Sequence, residues 1–177
     1  MRRPLDWLYR ASAVLAALSL LGIFLAMMAQ VVLREMGRQF PGADDLVAYL
    51  TVATSFFALA WTFKRGELIR VGLFVEKLPP GPRRWLEALV LALAVVLTAT
   101  IAWFTFADAM FSREIEEVAQ GTVPFPIWVP KLAMPLGAGI LCLAVAEELV
   151  AVLRGRTPAY VEAAEERTAR GDFSAEV

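Results

Sequence analysis

No charged residue occurs from Ala11 to Leu33, a stretch bracketed by Arg10 and Arg34. As an α-helix it rises about 1.5 Å per residue and outreaches the roughly 30 Å of a bilayer's hydrocarbon core. A backbone in lipid must satisfy its own hydrogen bonds, so such a run is constrained to one conformation before any tertiary contact is considered. Arg2-Arg3 ahead of an apolar run also opens many signal peptides, but this run exceeds the roughly 7–15 residues of their apolar region and reads as a retained span.

Three further runs follow. Leu46 to Phe63 is uncharged between Asp44-Asp45 and Lys64-Arg65. Trp85 to Ala107 contains only Glu87, one turn inside its start, where a carboxylate suits a helix N-terminus. The fourth begins near "PFPIWVPKLAMPLG", where Pro130 either starts or kinks a helix, and runs to Leu153 past Lys131, Glu147 and Glu148, charges whose positions near the two ends would let them reach the headgroups. The expected fold is an all-α membrane protein with four transmembrane helices, about 11–33, 46–63, 85–107 and 127–153, in a membrane domain of residues 1–153. Composition agrees: 59% of the 177 residues are hydrophobic, against roughly 45–50% in ordinary soluble domains.

The connectors differ in charge. Arg2, Arg3 and Arg10, then Lys64, Arg65, Arg70, Lys77, Arg83 and Arg84, then Arg154, Arg156, Arg167 and Arg170 fall on one side of a four-span chain. The other side holds only Arg34, Arg38, Arg113 and Lys131. The positive-inside rule makes the first side cytoplasmic and puts both termini there. In the second connector Leu68, Val71, Val75 and Leu78 recur at helical spacing with Arg70 and Lys77 opposite, which predicts a short helix lying in the interface over about 67–78. Leu78-Pro79-Pro80-Gly81-Pro82 stops it, since proline cannot continue the ladder. After Leu153 the chain turns polar, and "TPAYVEAAEERTARG" offers Thr157 as a cap, Pro158 at the first helical position and Gly171 as a stop. Residues 154–177 therefore read as a short cytoplasmic tail.

Function classes fall away by residue type. A formal net charge of −1 without a basic domain gives nucleic acid no electrostatic footing. With no histidine and one cysteine, Cys142, the chain offers no Cys/His zinc set, no His-ligated haem and no hydrolytic triad of the usual kind. No cofactor, metal site or catalytic residue is predicted, and the acidic connector from Asp108 to Phe125 lacks calcium-ligand spacing. The spans hold hydroxyls (Thr51, Thr54, Ser55, Thr62, Thr98, Thr100, Thr105) but no charge at mid-depth, so a self-contained ion pathway is not expected. Hydroxyls in membrane helices ordinarily bond their own backbone or a neighbouring helix. Small residues recur four apart at Thr54, Ala58 and Thr62, at Ala94, Thr98 and Ala102, and at Ala138, Cys142 and Ala146, spacing that suits close helix approach within this chain or onto another.

The segment "ADDLVAYLTVATSFFALAWTFKRGELIRVGLFVEKLPPGPRRWLEAL" resembles the centre of the small membrane subunits of tripartite ATP-independent periplasmic (TRAP) transporters, the DctQ type. The resemblance rests on Asp44-Asp45 opening the second span, Lys64-Arg65-Gly66, Ile69-Arg70-Val71 and Leu78-Pro79-Pro80 after it, and Pro126, Trp128, Pro135 and Gly137 at the start of the fourth; it covers about Val14 to Leu153. It implies a subunit and not a complete machine: a membrane scaffold without enzymatic activity, working with a large permease that carries the substrate and sodium sites and with a periplasmic substrate-binding protein. The solute would be an organic acid such as a dicarboxylate or sialic acid, and the location the cytoplasmic membrane of a bacterium or archaeon. On this reading Asp44, Asp45, Lys64, Arg65 and Arg70 fix depth and orientation at the two interfaces, and Trp128 anchors the outer end of the fourth span. A stand-alone four-span assembly or regulatory protein is the other reading of the pattern. A small multidrug-type transporter is disfavoured, because it needs a carboxylate inside the first span and 11–33 has none.

Overall fold

The computed structural model describes residues 3–65, 80–121 and 123–155. Among these the chain is helical: α1 (Arg3–Glu35), α2 (Ala43–Lys64), α3 (Pro80–Glu114), the single turn α4 (Trp128–Lys131) and α5 (Ala133–Leu153). Four segments are long and apolar enough to cross a membrane, Leu5–Glu35, Ala43–Lys64, Arg83–Glu114 and Trp128–Leu153. The expected interfacial helix at 67–78 and the tail helix lie outside the described residues, as do Gly66, Ile69, Arg70, Val71, Leu78 and Pro79.

The spans run alternately up and down. One end, the terminal end, gathers the start of α1, the end of α2, the start of α3 and the end of α5; the far end gathers the turn between α1 and α2 and the loop between α3 and α4. α1 packs on α2, α2 on α5, and α5 on α3, so α1 and α3 flank a central α2–α5 pair. The fourth span is accordingly 33% buried within the chain and the third only 11%. Leu, Val, Phe and Met side chains left exposed along α1 and α3 face the space a bilayer would fill. Tyr9, Ala60, Phe63, Ala88, Leu91, Ala144, Val145 and Val152 form the packed core, which lies toward the terminal end.

Small residues set the helix spacing. A Cβ built on Gly137 of α5 would stand 2.7 Å from the carbonyl carbon and oxygen of Phe56, so α2 and α5 touch backbone to backbone there. Gly22 of α1 lies under Leu50 of α2, where a Cβ would meet Cδ1 at 3.1 Å. The hydroxyls behave as lipid dictates: Thr51, Thr54, Ser55, Thr62, Thr98, Thr100 and Thr105 each donate to the carbonyl four residues back. Cys142 is half-buried on the α3–α5 seam, its Sγ 3.9 Å from the Val95 carbonyl oxygen.

The break between α4 and α5 falls at Leu132, not at Pro130. Pro130 stands in the first turn of α4, where the missing N–H is no loss. Pro135 lacks the N–H that would bond the Lys131 carbonyl, and the ladder lapses there. At the other end of α5, Arg84 of α3 donates from Nε to the Val152 carbonyl at 3.1 Å and from Nη2 to the Leu153 carbonyl at 2.6 Å. A cation on the last carbonyls satisfies orphan acceptors and complements the helix dipole.

Candidate functional site

The polar side chains that meet across helices collect in two groups, one at each end. At the terminal end, Lys64 closes α2 and reaches α5, where its Nζ donates to Glu147 and to Glu148 Oε1, the latter at 2.6 Å. Tyr9 of α1 donates its hydroxyl to Glu147 at 3.2 Å, and Lys64 Nζ stands 5.2 Å above the Tyr9 ring. One lysine thus ties three helices. The sequence places Glu147 and Glu148 close enough to the end to reach headgroups; instead the Glu148 side chain is 3% exposed and Lys64 15%, because α2 supplies a counter-charge closer than water. Charges removed from water are stable only when paired and hydrogen-bonded, as they are here. One turn further along α1, Ser12 Oγ donates to the Phe57 carbonyl at 2.5 Å, a second polar tie between α1 and α2. Arg65 lies over the Trp61 ring at 4.9 Å.

At the far end Lys131 plays the corresponding part. Its Nζ is 3.0 Å from Asp108 Oδ2, donates to Ser112 Oγ at 2.6 Å and to Glu117 Oε2 at 3.2 Å. Ser112 is fully buried. Its hydroxyl bonds the Glu117 carboxylate and, with the Lys131 ammonium, holds that acid below the ordinary glutamate range. Arg113 lies over the Trp128 ring at 5.4 Å. Between α3 and α4 the chain doubles back: Ala119 N–H donates to Phe125 O at 2.9 Å and Ile127 N–H to Glu117 O at 3.2 Å, with a bridge pairing Val118 and Pro126.

This hairpin rests on the start of α2. Phe125 meets Tyr49 edge-to-face with ring centroids 5.6 Å apart. The Asp45 carboxylate is packed so closely on Gly121 that a Cβ there would fall 1.8 Å from Oδ2. Gly42, at φ 75°, takes the left-handed conformation that opens α2 beneath Val123. Asp44 is exposed and accepts a hydrogen bond from Gln30 of α1 at 3.2 Å.

The residues singled out in the sequence are therefore spread over both ends. Asp44, Asp45 and Trp128 are at the far end, Lys64 and Arg65 at the terminal end. Pro80 opens α3, Pro126 pairs in the hairpin, and Pro135 and Gly137 are buried in α5. Tyr9, Ser12, Ser112 and the Glu147–Glu148 pair were missed as partners. Only the last had a legible signal: two adjacent carboxylates ending one span, at the same membrane face as the lysine ending another. Among the described residues no three Cys, Asp or Glu side chains gather as a metal site.

Apolar outer faces, threonines bonded to their own helices and, among the described residues, ion pairs near the helix ends define a four-span integral membrane protein. A family model described as tripartite ATP-independent periplasmic transporters, DctQ component, matches residues 23–155. The chain belongs to that family, the small membrane component of TRAP transporters. No curated protein matches it.

Proposed function

We propose that this chain is the fixed membrane scaffold of a sodium-coupled importer of an organic acid, a dicarboxylate or a sialic acid being the nearest chemical classes. It acts with a large permease subunit, which holds the substrate and the coupling ions, and with a periplasmic binding protein that delivers the solute. Both termini lie in the cytoplasm, in the inner membrane of the cell, and the chain catalyses no reaction of its own.

The observation that carries this reading is where the charges are. Among the described residues every ion pair sits near a helix end, as Lys64 with Glu147 and Glu148 or Lys131 with Asp108 and Glu117. Coupled transport needs ion ligands near the bilayer midplane, on broken helices. Here the mid-depth hydroxyls are spent on their own backbone, as with Thr98 on the Ala94 carbonyl at 2.7 Å. A chain so arranged can position another subunit, and among its described residues no carboxylate stands at mid-depth for an ion to pair with.

Proteoliposomes decide it. Vesicles holding this chain and the large subunit, supplied with the binding protein and a labelled organic acid, take up solute only on a sodium gradient. Vesicles lacking this chain lose uptake, and vesicles holding it alone show none. Gradient-driven transport by this chain alone, or failure to retain a large membrane partner in mild detergent, would overturn the scaffold reading.

A further inference from the structure

We propose that the terminal end of the α3–α5 seam is a binding site for the phosphate of an anionic phospholipid. The Arg84 guanidinium lies across the last turn of α5, bonded to the Val152 and Leu153 carbonyls. It extends to Gly155, where a built Cβ would stand 3.6 Å from Arg84 Nη1. Arg154 belongs to that same turn and is exposed. The Arg84 guanidinium and the residue Arg154, from different spans, therefore meet at one turn of the chain. Glu87 of α3 is bonded to Arg83 at 3.0 Å, and among the described residues no carboxylate forms an ion pair with Arg84 or Arg154.

Arg84 uses Nε and Nη2 on the helix end, which takes up part of its charge but holds its fork in place with Nη1 toward Gly155, and Arg154 supplies the further cation. Beside it Trp85, Leu89 and Leu93 follow one another at four-residue spacing on α3, all exposed. An indole at headgroup depth above two leucines suits a lipid's glycerol and upper acyl chain. The site stands where the first turn of one span and the last turn of another meet the phosphate layer. Basic pockets between membrane helices at this depth bind anionic headgroups in just this manner. The charge favours phosphatidylglycerol or a diphosphate lipid over zwitterionic phosphatidylcholine.

The test is native mass spectrometry of the delipidated full chain, titrated with phosphatidylglycerol, phosphatidylcholine or inorganic phosphate. Phosphatidylglycerol is expected to be retained about fivefold better than phosphatidylcholine, the preference one basic residue near the membrane surface supplies. Arg154→Gln, which removes no contact that builds the fold, should erase most of that preference. Arg154→Lys should keep it, and so should Arg38→Gln at the far end. Equal retention of the two lipids overturns the proposal. So does an Arg154→Gln chain that keeps its preference, or an Arg38→Gln chain that loses it equally, since net charge would then be the cause. Displacement of phosphatidylglycerol by millimolar inorganic phosphate would identify a free-anion site in place of a lipid site.

Discussion

Lys64 is the residue on which most of the terminal end depends. It faces Tyr9, Glu147 and Glu148 from three directions, and its removal leaves the nearly buried Glu148 without that counter-charge. Lys64→Met is expected to lower stability by about 3–5 kcal/mol, read as earlier unfolding in a detergent melt. Tyr9→Phe deletes one hydrogen bond and should cost about 1 kcal/mol. Equal effects from the two would mean that packing, not charge, holds the cluster. Glu117 supplies a pH signature at the far end. Its acidity is raised in the folded chain by Ser112 and Lys131, so its contribution is complete above the ordinary glutamate pKa and fades as pH falls through the lowered folded value. Protection of the Ala119 and Ile127 amides, taken relative to the intrinsic exchange rate at each pH, should fall over that acidic window in the wild type. In Glu117→Gln that protection should already be lower at neutral pH and change less on acidification.

At the scale of elements, α5 is the helix the others are built around, and its composition fits it for that place. Pro135, Gly137, Ala138, Ala144 and Val145 are buried along it, four of the five small enough to admit neighbours closely or, in proline, to break the ladder. Gly137→Val would drive a branched side chain into the Phe56 backbone of α2. Overpacking of this kind typically costs about 1–3 kcal/mol, and a backbone obstacle yields less readily than a side chain. Gly139, with nothing within 4 Å of its missing Cβ, is the internal control: Gly139→Ala should not lower the melt and should raise stability by up to about 0.5–1 kcal/mol through helix propensity. A melt that is not lowered in Gly137→Val would show that contact with α2 does not account for the glycine.

For the whole molecule the central fact is the asymmetry between a packed middle and bare flanks. Leu97 of α3 is exposed in the span's interior, facing the hydrocarbon on the membrane reading. Leu97→Arg should weaken insertion by roughly 2.5–3.5 kcal/mol, measured by the fraction of chain that integrates into microsomal membranes. Orientation is open to direct measurement. In a chain with Cys142 replaced, a cysteine at Glu116 in the hairpin should react with an impermeant thiol reagent added outside intact cells, and one at Gly155 only after permeabilisation. The reverse pattern would invert the proposed topology.

The four long apolar helices were written in the sequence, because a bilayer imposes a rule that each segment obeys alone: a charge-free run such as 11–33 must become a helix whatever its neighbours do. The threonines were legible for the same reason, since the nearest acceptor for a hydroxyl in lipid is its own helix. Family motifs could be seen as well, though not what Gly137 or Pro135 was for. What no linear pattern contained was the order in which the helices stand side by side. Only when α2 settles between α1 and α5 does Lys64 meet Tyr9, Glu147 and Glu148, turning apparent headgroup charges into an interior tie. Likewise Asp45 and Gly121, or Arg84 and Leu153, are remote in the chain and become neighbours through packing alone. Lipid contact is a property of each segment and can be read from it, whereas pairing of charges depends on two segments at once and is decided by the tertiary structure.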